Sequence, residues 1–563
     1  MHQSCWNLFT TTRFDLAIHS RRSFIRSYHS APKTLPKAPY LGLGYLRRTG
    51  MAEQSPRAPS PPQTLHVSAK PPAKALSKRQ KKRHQHNSLP EPCSSEDVLW
   101  HEINDVLGED CVKSALADGT DMQSPFAYHQ ELEMQVVALC STGSALATSA
   151  EANRPWVVVV PFALPGETIR VKIYKNARMH SLADLLEIVT PNHEFRDSSR
   201  VQCKYFGSCG GCQYQMLSYE KQLDLKRDVV VKAYKNFSEL SESAIPTIES
   251  TMPSPKQYEY RTKITPHFEA PTKSQRHDPT NPKNDTERPE WFTIGFNRVG
   301  THKVMDIEDC PIATPIIRET LPAVRANAIK NLYTYKRGVS LILRDSLPPA
   351  STPPTDAVGS LSADLEKHVC ITDHRGSVRE KVGTLLFEYP NGSFFQNNNS
   401  VLPSLTSYVQ ACIFAASGPR PTHLVDAYCG AGLFAIALAP HFTTLNGLPA
   451  SQVSFRAGDA ADIFRTVGGF PARETVLLID PPRKGCDAPF VAQLLAFRAR
   501  TVVYVSCNVH TQARDVGMIL RASAEDAEGK GRYVLESLRG FDLFPQTAHV
   551  ESVAVLRLVD EEV

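Results

Sequence analysis

A run of β-branched and aromatic residues at 501–505 stops at Ser506, Cys507 and Asn508, and this junction strongly constrains the fold. The run predicts a short buried strand, and Ser506 and Asn508 are both favourable N-cap residues for a helix that begins near Val509. The Cys507 thiol would then lie at the carboxyl end of a strand, where open α/β sheets bind ligands. A helix N-terminus favours a thiolate, so we expect a lowered thiol pKa and a nucleophilic Cys507. The alternative is a buried structural cysteine.

The 563-residue chain combines a basic amino-terminal segment with a mildly acidic remainder. Residues 1–90 hold 16 lysines and arginines against two acids, so the net charge of +5 for the whole chain leaves −9 for residues 91–563. Nucleic-acid contacts in the folded part would therefore come from local patches. No apolar run reaches the length of a membrane span. The 13 cysteines, an odd number without a secretory signal, favour a reducing compartment and metal-binding or catalytic thiols.

Residues 1–95 are expected to be a disordered targeting segment and linker. Residues 1–50 are rich in arginine and serine with a single acid, Asp15, which is typical of a mitochondrial transit peptide or of a basic tail. A basic cluster at 78–83 is typical of nuclear localisation or RNA contact. Products beginning at Met1 and at Met51 would then reach different compartments, one mitochondrial and one nuclear-cytoplasmic.

Several short β-type runs separated by turn residues predict a small barrel at 125–195. The string Val-Pro-Phe-Ala-Leu-Pro-Gly-Glu-Thr-Ile-Arg-Val-Lys-Ile at 160–173 resembles the TRAM domain, an RNA-binding barrel of RNA-modifying enzymes. Four basic residues could line a groove that follows phosphates. They are Lys172, Lys175, Arg178 and His180.

Three cysteines, Cys203, Cys209 and Cys212, lie within ten residues, and Cys310 follows far downstream. Thiolates separated by glycines suit an iron-sulfur cluster that a fourth cysteine completes. Zinc is the alternative, because it also takes four thiolates. Unligated thiols this close together would invite oxidation, so the spacing predicts a metal centre.

The string Cys-Lys-Tyr-Phe-Gly-Ser-Cys-Gly-Gly-Cys-Gln-Tyr-Gln at 203–215 resembles the cluster motif of the RNA uracil-5-methyltransferases. In that family four such cysteines hold a [4Fe-4S] centre, and the resemblance implies one here. Segments 260–263 and 294–296 are similar to the family's central domain, which we expect at 200–390. Two polar inserts, near 270–290 and 346–364, are expected to be disordered loops within it.

Residues 391–563 are expected to form a Rossmann-like α/β domain that binds S-adenosylmethionine (SAM). The run 424–439 predicts a strand, a glycine turn and a helix, which alone is a weak nucleotide-binding signal. The string Asp-Ala-Tyr-Cys-Gly-Ala-Gly at 426–432 resembles the SAM motif of the same family, and Phe-Gln at 395–396 its base- or cofactor-binding segment. The resemblance implies these cofactor-binding residues: Gln396, Asp426, Tyr428, Gly430, Gly432 and Asp480.

Two further strings complete the resemblance. Asp-Pro-Pro-Arg-Lys-Gly at 480–485 follows an apolar strand, and its prolines hold the loop extended, with Arg483 and Lys484 able to meet phosphates. The closing string at 541–556 resembles the family's last motif and places Glu551 before the final strand.

The resemblance implies three catalytic residues, Cys507, Asp480 and Glu551. Carbon 5 of uracil is a poor nucleophile, so Cys507 would first add to carbon 6 and form a covalent intermediate. Glu551 would take the proton from carbon 5, and Asp480 would orient the base. The target uridine must also leave its base stack, at a cost of about a few kcal/mol.

The cofactor side of this domain departs from the family. Only residues 441–452 separate the first helix from the strand at 453–459, whereas a strand and a helix would need roughly 25 residues. No Asp or Glu occurs between Asp426 and Asp459, so the acid that binds the cofactor ribose is absent. We therefore expect weak SAM binding or none.

Jointly, these motifs resemble most the fungal tRNA enzymes of the family and predict methylation of uracil C5 in tRNA, in the T-loop. Two alternatives remain: a ribosomal-RNA enzyme of the same family, and a catalytically impaired RNA-binding or tRNA-folding protein. Neither a membrane nor an obligate protein partner is expected.

Overall fold

The computed structural model of the protein describes residues 4–9, 90–150, 152–277, 288–349, 367–415, 419–445, 453–458, 462–526 and 531–560. The expected disordered segment 1–95 lies outside these ranges, apart from strand β1 (Ser4–Phe9) and residues 90–95. Residues 278–287 of the first expected insert and 350–364 of the second also lie outside them, whereas Lys273–His277 in the first form a short helix. Among the described helices, none combines the length and the apolar character that crossing a bilayer requires.

Two helices lead into a closed five-stranded barrel with strand order β2-β3-β4-β6-β5. These elements are α1 (Ser95–Leu107), α2 (Glu109–Ala117), β2 (Glu131–Leu139), β3 (Ala145–Thr148), β4 (Val157–Val160), β5 (Thr168–Ala177) and β6 (His180–Thr190). Alternate side chains of β2 are buried, which is the period-two pattern of a strand with one face on a core. The predicted barrel is confirmed, with the four-residue β3 as an additional strand.

The basic residues of the barrel are largely engaged within it. Lys172 pairs with Glu131 at 3.1 Å, and Arg178 pairs with Asp121 at 2.9 Å. His180 contacts a backbone oxygen through Nδ1, and burial lowers the pKa of its ring. Phosphates that approach Lys172 or Arg178 would therefore compete with these existing ion pairs.

The central part contains a long helix, two small sheets and a hairpin. Its elements are α3 (Tyr219–Phe237), β7 (Lys263–Ile264), β8 (His267–Phe268), α4 (Lys273–His277), β9 (Gly295–Asn297), β10 (Val304–Asp306), α5 (Pro315–Lys330), β11 (Val339–Ser340), β12 (Leu343–Ser346), β13 (Val369–Ile371), β14 (Ser377–Val382) and β15 (Leu385–Pro390). The sheets have the orders β10-β9-β8-β11 and β13-β12-β7, and β14 pairs with β15.

The carboxyl-terminal part is an α/β domain built on a seven-stranded sheet. Its elements are α6 (Leu402–Phe414), β16 (His423–Ala427), α7 (Leu433–Leu445), β17 (Val453–Gly458), α8 (Ile463–Val467), β18 (Thr475–Ile479), α9 (Ala488–Phe497), β19 (Thr501–Ser506), α10 (Val509–Glu525), β20 (Arg532–Phe541) and β21 (Glu551–Val559). Strands β16, β18 and β19 are parallel, and every residue of β18 and β19 is buried. Burial on both faces explains their continuous apolar sequences.

The sheet has the order β17-β1-β16-β18-β19-β21-β20. Between β16 and β17 along the chain, the described residues form α7 and no strand. The position beside β16 is taken by β1, which runs antiparallel to both neighbours, with Asn7 opposite Asp426 and Ser4 opposite Gly458. Because β1 is reversed, its carboxyl end lies at the opposite edge of the sheet from the carboxyl ends of β16 and β17. Ser4 and Cys5 of β1 lie at the edge where β17 ends, and neither residue is an acid.

Candidate active site

Three motifs predicted from the sequence meet at one edge of the large sheet. Ser506 pairs with Ser552, so Cys507 and Glu551 lie next to each other where β19 ends and β21 begins. Asp480 directly follows Ile479, the last residue of the neighbouring strand β18. The charges of both carboxylates raise the pKa of the Cys507 thiol, which confirms that the three side chains are close in space.

The turn at Cys507 has the predicted backbone but not the predicted thiol acidity. Helix α10 begins at Val509, and the Asn508 side chain caps it by accepting from the His510 N–H at 3.2 Å. Burial, together with Glu551 and Asp480, raises the pKa of Cys507 to about 12. The expectation of a lowered pKa is therefore wrong, because burial and two neighbouring acids outweigh the helix terminus.

The two carboxyl groups beside the thiol, buried Glu551 and half-buried Asp480, hold their protons at unusually high pH. Burial raises the pKa of Asp480 to about 7. Burial and the charge of Asp480 raise the pKa of Glu551 to about 8. Glu551 is 2% exposed, and its Oε2 atom has no hydrogen-bond partner among the described residues. These are the properties of carboxyl groups prepared for proton transfer near neutral pH.

Arg483 lies beside the thiol. Its guanidinium is near enough to the Cys507 sulfur to lower the pKa of that group. The loop that carries it is anchored to helix α10, because Asn508 and Thr511 donate to the Arg483 carbonyl at 2.9 and 3.1 Å. The charge of Arg483 alone predicts contact with phosphates. Its position directly after a strand-ending Asp and two prolines is the signal for a role in the site.

His549, the histidine of the closing motif that resembles the family's, lies beside Glu551 in the site. Its Nε2 atom lies 3.9 Å from Oε1 of Glu551, and its ring packs edge-on against Phe544 with centroids 4.9 Å apart. Burial, followed by nearby cations, lowers the pKa of His549 to about 4. The ring is thus neutral at physiological pH. It can donate a hydrogen bond through one nitrogen and accept one through the other, with Glu551 or a bound nucleobase as the partner.

The closing motif reaches the site because a buried ion pair holds it. Lys226 on α3 is paired with Asp542, and both side chains are fully buried. Tyr219 donates to the other oxygen of Asp542 at 2.9 Å, and Asn398 donates to the Leu543 carbonyl at 3.2 Å. Opposite charges removed from water together require such complete hydrogen bonding. Residues 541–549 are therefore fixed against both the central helix and the segment after Gln396.

The glycine turn after β16 has the backbone expected of a cofactor-binding turn. Tyr428, Gly430 and Gly432 all have positive φ, of 66°, 55° and 83°. Asp426 accepts from the Ala435 N–H at 3.1 Å through one oxygen, while its other oxygen is buried without a partner among the described residues. Burial and the charge of Asp480 raise the pKa of Asp426 well above its usual range. An unsatisfied acceptor at this position fits a ligand that donates hydrogen bonds.

Gln396 is buried, and Arg344 holds the backbone directly before it. The Arg344 guanidinium donates to the carbonyls of Ser393 and Phe395 at 3.0 and 3.3 Å, and it stacks 4.8 Å above the Tyr389 ring. The Phe395 ring also stacks on Tyr389, with centroids 4.8 Å apart. Arg344, remote in sequence from the motif, carries no signal for this role.

The four predicted cysteines line one cavity of about 430 Å³. Burial and the neighbouring thiols raise the pKa of both Cys212 and Cys310 to about 12. Polar N–H groups also face the sulfurs and lower their pKa values. These groups are the backbone of Tyr205 and Phe206 at Cys203, of Gly211 at Cys209 and of Ile312 at Cys310, and the Gln215 side chain at Cys212.

Within the described parts of the chain, no group of three or more Cys, His, Asp or Glu side chains converges closely enough to hold a single metal ion. The four cysteines nevertheless line the same cavity. In an iron-sulfur cluster each thiolate binds a different iron, and hydrogen bonds to the sulfurs tune the cluster.

Two fungal proteins are similar to most of the chain, and no protein-family model matches it. The tRNA (uracil(54)-C(5))-methyltransferase of Schizosaccharomyces pombe is 41% identical over 509 residues, which cover 86% of this chain and 87% of that protein. The protein of the same name from Saccharomyces cerevisiae is 34% identical over 531 residues, covering 83% and 82%. A solved structure of Pyrococcus abyssi tRNA (uracil-54, C5)-methyltransferase in complex with S-adenosyl-L-homocysteine is 22% identical, with a TM-score of 0.46 over 76% of this chain and all of that one. On the identity and coverage of the fungal relatives, the chain belongs to the tRNA (uracil(54)-C(5))-methyltransferase family.

Proposed function

We propose that the protein binds tRNA and methylates carbon 5 of a T-loop uridine through a covalent bond between Cys507 and carbon 6. The observation that carries this proposal is the meeting of Cys507, Glu551 and Asp480 at one edge of the sheet. A lone thiol would be inert, but a thiol with a cation and two high-pKa carboxyl groups has what addition and proton removal need.

The reaction begins with a thiol that must lose its proton. Asp480, with a pKa of about 7, can accept that proton as the sulfur bonds to carbon 6, while Arg483 stabilises the developing thiolate. Bound SAM supplies the methyl group that carbon 5 takes up. Ionised Glu551 then removes the proton from carbon 5, the carbon–sulfur bond breaks, and the methylated base leaves with the thiolate restored.

The cofactor site fits SAM only in part. Asp426, Tyr428, Gly430 and Gly432 form the turn that would hold it. The acid expected at the ribose is missing, and the reversed strand β1 brings none to this edge. We therefore propose that the chain binds SAM only weakly. Micromolar affinity by titration calorimetry would contradict this.

A tRNA transcript containing 5-fluorouracil, incubated with SAM, tests the covalent step. The fluorine cannot leave as a proton, so a methylated adduct accumulates and is detected as a protein–RNA band. Cys507→Ala must abolish the band, whereas Cys412→Ala, which removes a half-buried thiol elsewhere in the domain, must retain it.

The alternatives give different results in related experiments. RNA binding without any adduct in the wild-type chain would support the impaired RNA-binding protein. Mapping of 5-methyluridine in tRNA and ribosomal RNA after deletion of the gene separates the two substrates. Loss from ribosomal RNA alone would support the ribosomal enzyme.

We further propose that Cys203, Cys209, Cys212 and Cys310 hold a [4Fe-4S] cluster. The proposal is supported by four cysteines that line one cavity with N–H groups near their sulfurs, and zinc is the alternative. Purified under exclusion of oxygen, the protein should contain about four iron and four sulfide ions per chain. Cys209→Ser should lose them, Cys370→Ser should not, and zinc in place of iron would refute the assignment.

The TRAM-like barrel and the central domain are proposed to grip the RNA around the extracted uridine. For localisation, we propose mitochondrial and nuclear-cytoplasmic forms that begin at Met1 and Met51. Fluorescent fusions of the two forms should distribute differently, and identical distributions would refute this proposal.

A further inference from the structure

A second polar cavity, distinct from the Cys507 site and from the cysteine cavity, lies in the central part of the protein. It has a volume of about 290 Å³. Its floor is formed by buried polar side chains, and its rim by exposed charged ones such as Lys256 and Glu259. The buried lining residues are Thr262, Thr314, Asp345, Ser346 and Glu380.

Three of the buried side chains have polar atoms that no described protein group satisfies. They are Oγ1 of Thr262, Oγ1 of Thr314 and Oε1 of Glu380, in residues that are 2%, 7% and 4% exposed. A buried polar atom that is left without a partner destabilises the protein. Three of them around one cavity indicate that the cavity receives a polar molecule.

The carboxyl group of Glu380 is held in position for such a ligand. Its Oε2 atom accepts from the Tyr389 hydroxyl, whose ring in turn stacks under the Arg344 guanidinium. The other oxygen is left on the cavity side without a partner in hydrogen-bond geometry, although the nearby Thr262 hydroxyl lowers the pKa of the group slightly. Burial outweighs this effect and raises the pKa of Glu380 to about 7, so the group is only partly charged near neutral pH and repels a nucleic acid little.

The cavity adjoins the candidate active site through a shared segment. Asn399 lines it, three residues after Gln396. The Thr262 N–H donates to the Asn397 carbonyl at 2.8 Å, and Asn398 donates to the closing motif. A ligand in the cavity would thus sit against the stretch of chain that carries Gln396 and holds the closing motif.

The lining favours a nucleobase. A carboxyl oxygen accepts well from the exocyclic amine of a base, and hydroxyls can either donate or accept. RNA-binding proteins often splay unpaired bases into such pockets, and the exposed Lys256 at the rim suits the attached phosphate. The volume corresponds to a single small ligand.

We propose that this cavity binds a second unstacked nucleotide of the RNA, through a base that carries an exocyclic amine, while the target uridine occupies the Cys507 site. The inference rests on the proposed RNA substrate, and it adds a specificity site that reads a non-target base. Thr262, Thr314 and Glu380 lie outside the turn that would hold SAM. Binding of a nucleotide in this cavity therefore does not require SAM.

The test uses T-arm hairpins in which each non-target nucleotide in turn is made abasic, with affinities measured for the full chain. In the wild type, one abasic position should weaken binding about tenfold, the equivalent of about 1.4 kcal/mol. The double variant Thr262→Val and Thr314→Val should bind the unmodified hairpin about tenfold more weakly and should be indifferent to that same abasic position. Thr320→Val, whose hydroxyl bonds within its own helix, serves as the matched control and should bind as the wild type does.

The outcomes separate this inference from the proposed function. If the double variant binds every hairpin as the wild type does, the cavity holds only water and the inference is overturned. The same conclusion follows if the variant remains sensitive to the abasic position. A wild-type chain that binds no T-arm RNA overturns both proposals. If the wild type forms the adduct but either result above contradicts the cavity, the proposed function stands and only the cavity inference is overturned.

Discussion

The Asp515 carboxylate accepts a hydrogen bond from the Cys486 N–H at 2.7 Å and thereby fixes the end of the loop that carries Arg483. The same oxygen accepts from the Tyr504 hydroxyl at 2.7 Å, and the side chain is fully buried. Gly485, with φ of +78°, lies so close that a Cβ there would collide with this carboxylate. Loop, strand and helix are therefore tied together at one buried group.

Asp515→Ala should lower the free energy of unfolding by about 3 kcal/mol, because it leaves buried donors unpaired. It should also slow formation of the 5-fluorouracil adduct about tenfold, because Arg483 loses its fixed position. Asp487→Ala, which removes only the cap that accepts from the Phe490 N–H, should cost about 1 kcal/mol and leave the adduct rate intact. Equal adduct rates in both variants would contradict the role of the anchor.

Alkylation of Cys507 should report its raised pKa. The rate with iodoacetamide, followed by mass spectrometry of the Cys507 peptide, should be slow at pH 7 and rise about tenfold per pH unit. Glu551→Gln should accelerate it at pH 9, because the variant removes a negative charge that raises the thiol pKa. The peptide of Cys412 should react alike in both proteins. A fast reaction at pH 7 would show that the thiolate is already present in the free protein.

Glu551→Gln should also change how stability depends on pH. The folded-state pKa of about 8 lies above the usual 4.5, so the folded protein holds this proton more tightly than the unfolded chain does. That stabilisation is complete below pH 4.5 and is lost as the pH rises through 8. Urea denaturation should therefore show that the free energy of unfolding of the variant, relative to that of the wild type, rises by up to about 4 kcal/mol between pH 5 and pH 9. Exposed Glu525→Gln should follow the wild type at both pH values. If the free energy of unfolding of Glu551→Gln changes with pH as those of the wild type and Glu525→Gln do, the raised pKa of Glu551 is contradicted.

Breaking the buried ion pair should destabilise the protein more than removing both partners. Lys226→Met leaves Asp542 charged and buried, and we expect a loss of about 4 kcal/mol in the free energy of unfolding by urea denaturation. Combining it with Asp542→Leu should restore more than half of that loss. Lys235→Met, on the same helix but in an exposed pair with Asp105, should change stability by less than about 1 kcal/mol. A double variant no more stable than the single one would show that the hydrogen bonds of Asp542, rather than its charge, matter most.

The sequence is sufficient to predict which side chains meet, and insufficient to predict their chemistry. Cys507 and Asp480 can be placed together because both follow apolar strands, and the carboxyl ends of parallel strands share an edge. The helix that begins at Val509 follows from local capping rules. The pKa of Cys507 cannot be predicted in this way, because it depends on burial beneath segments that are distant in the chain.

Long-range partners account for what the sequence does not reveal. Arg344 supports the Gln396 segment from about fifty residues away, and Lys226 meets Asp542 across 316 positions. The pairing of β1 with β16 and β17 bridges more than four hundred residues and does not follow from local periodicity. Patterns of three or four residues carry no information about such pairs.

The anchoring of residues 541–549 bears on how the chain is made. Synthesis on the ribosome proceeds from the amino terminus, so helix α3 and its Lys226 emerge long before Asp542. Until residues 541–549 leave the exit tunnel, Lys226 lacks the counter-charge of Asp542 and is costly to bury. A message truncated before Asp542 would therefore yield a protein that carries the earlier motifs but has an open centre, which proteases attack readily. Closure of the centre around Lys226 has to wait for the synthesis of residues more than three hundred positions downstream.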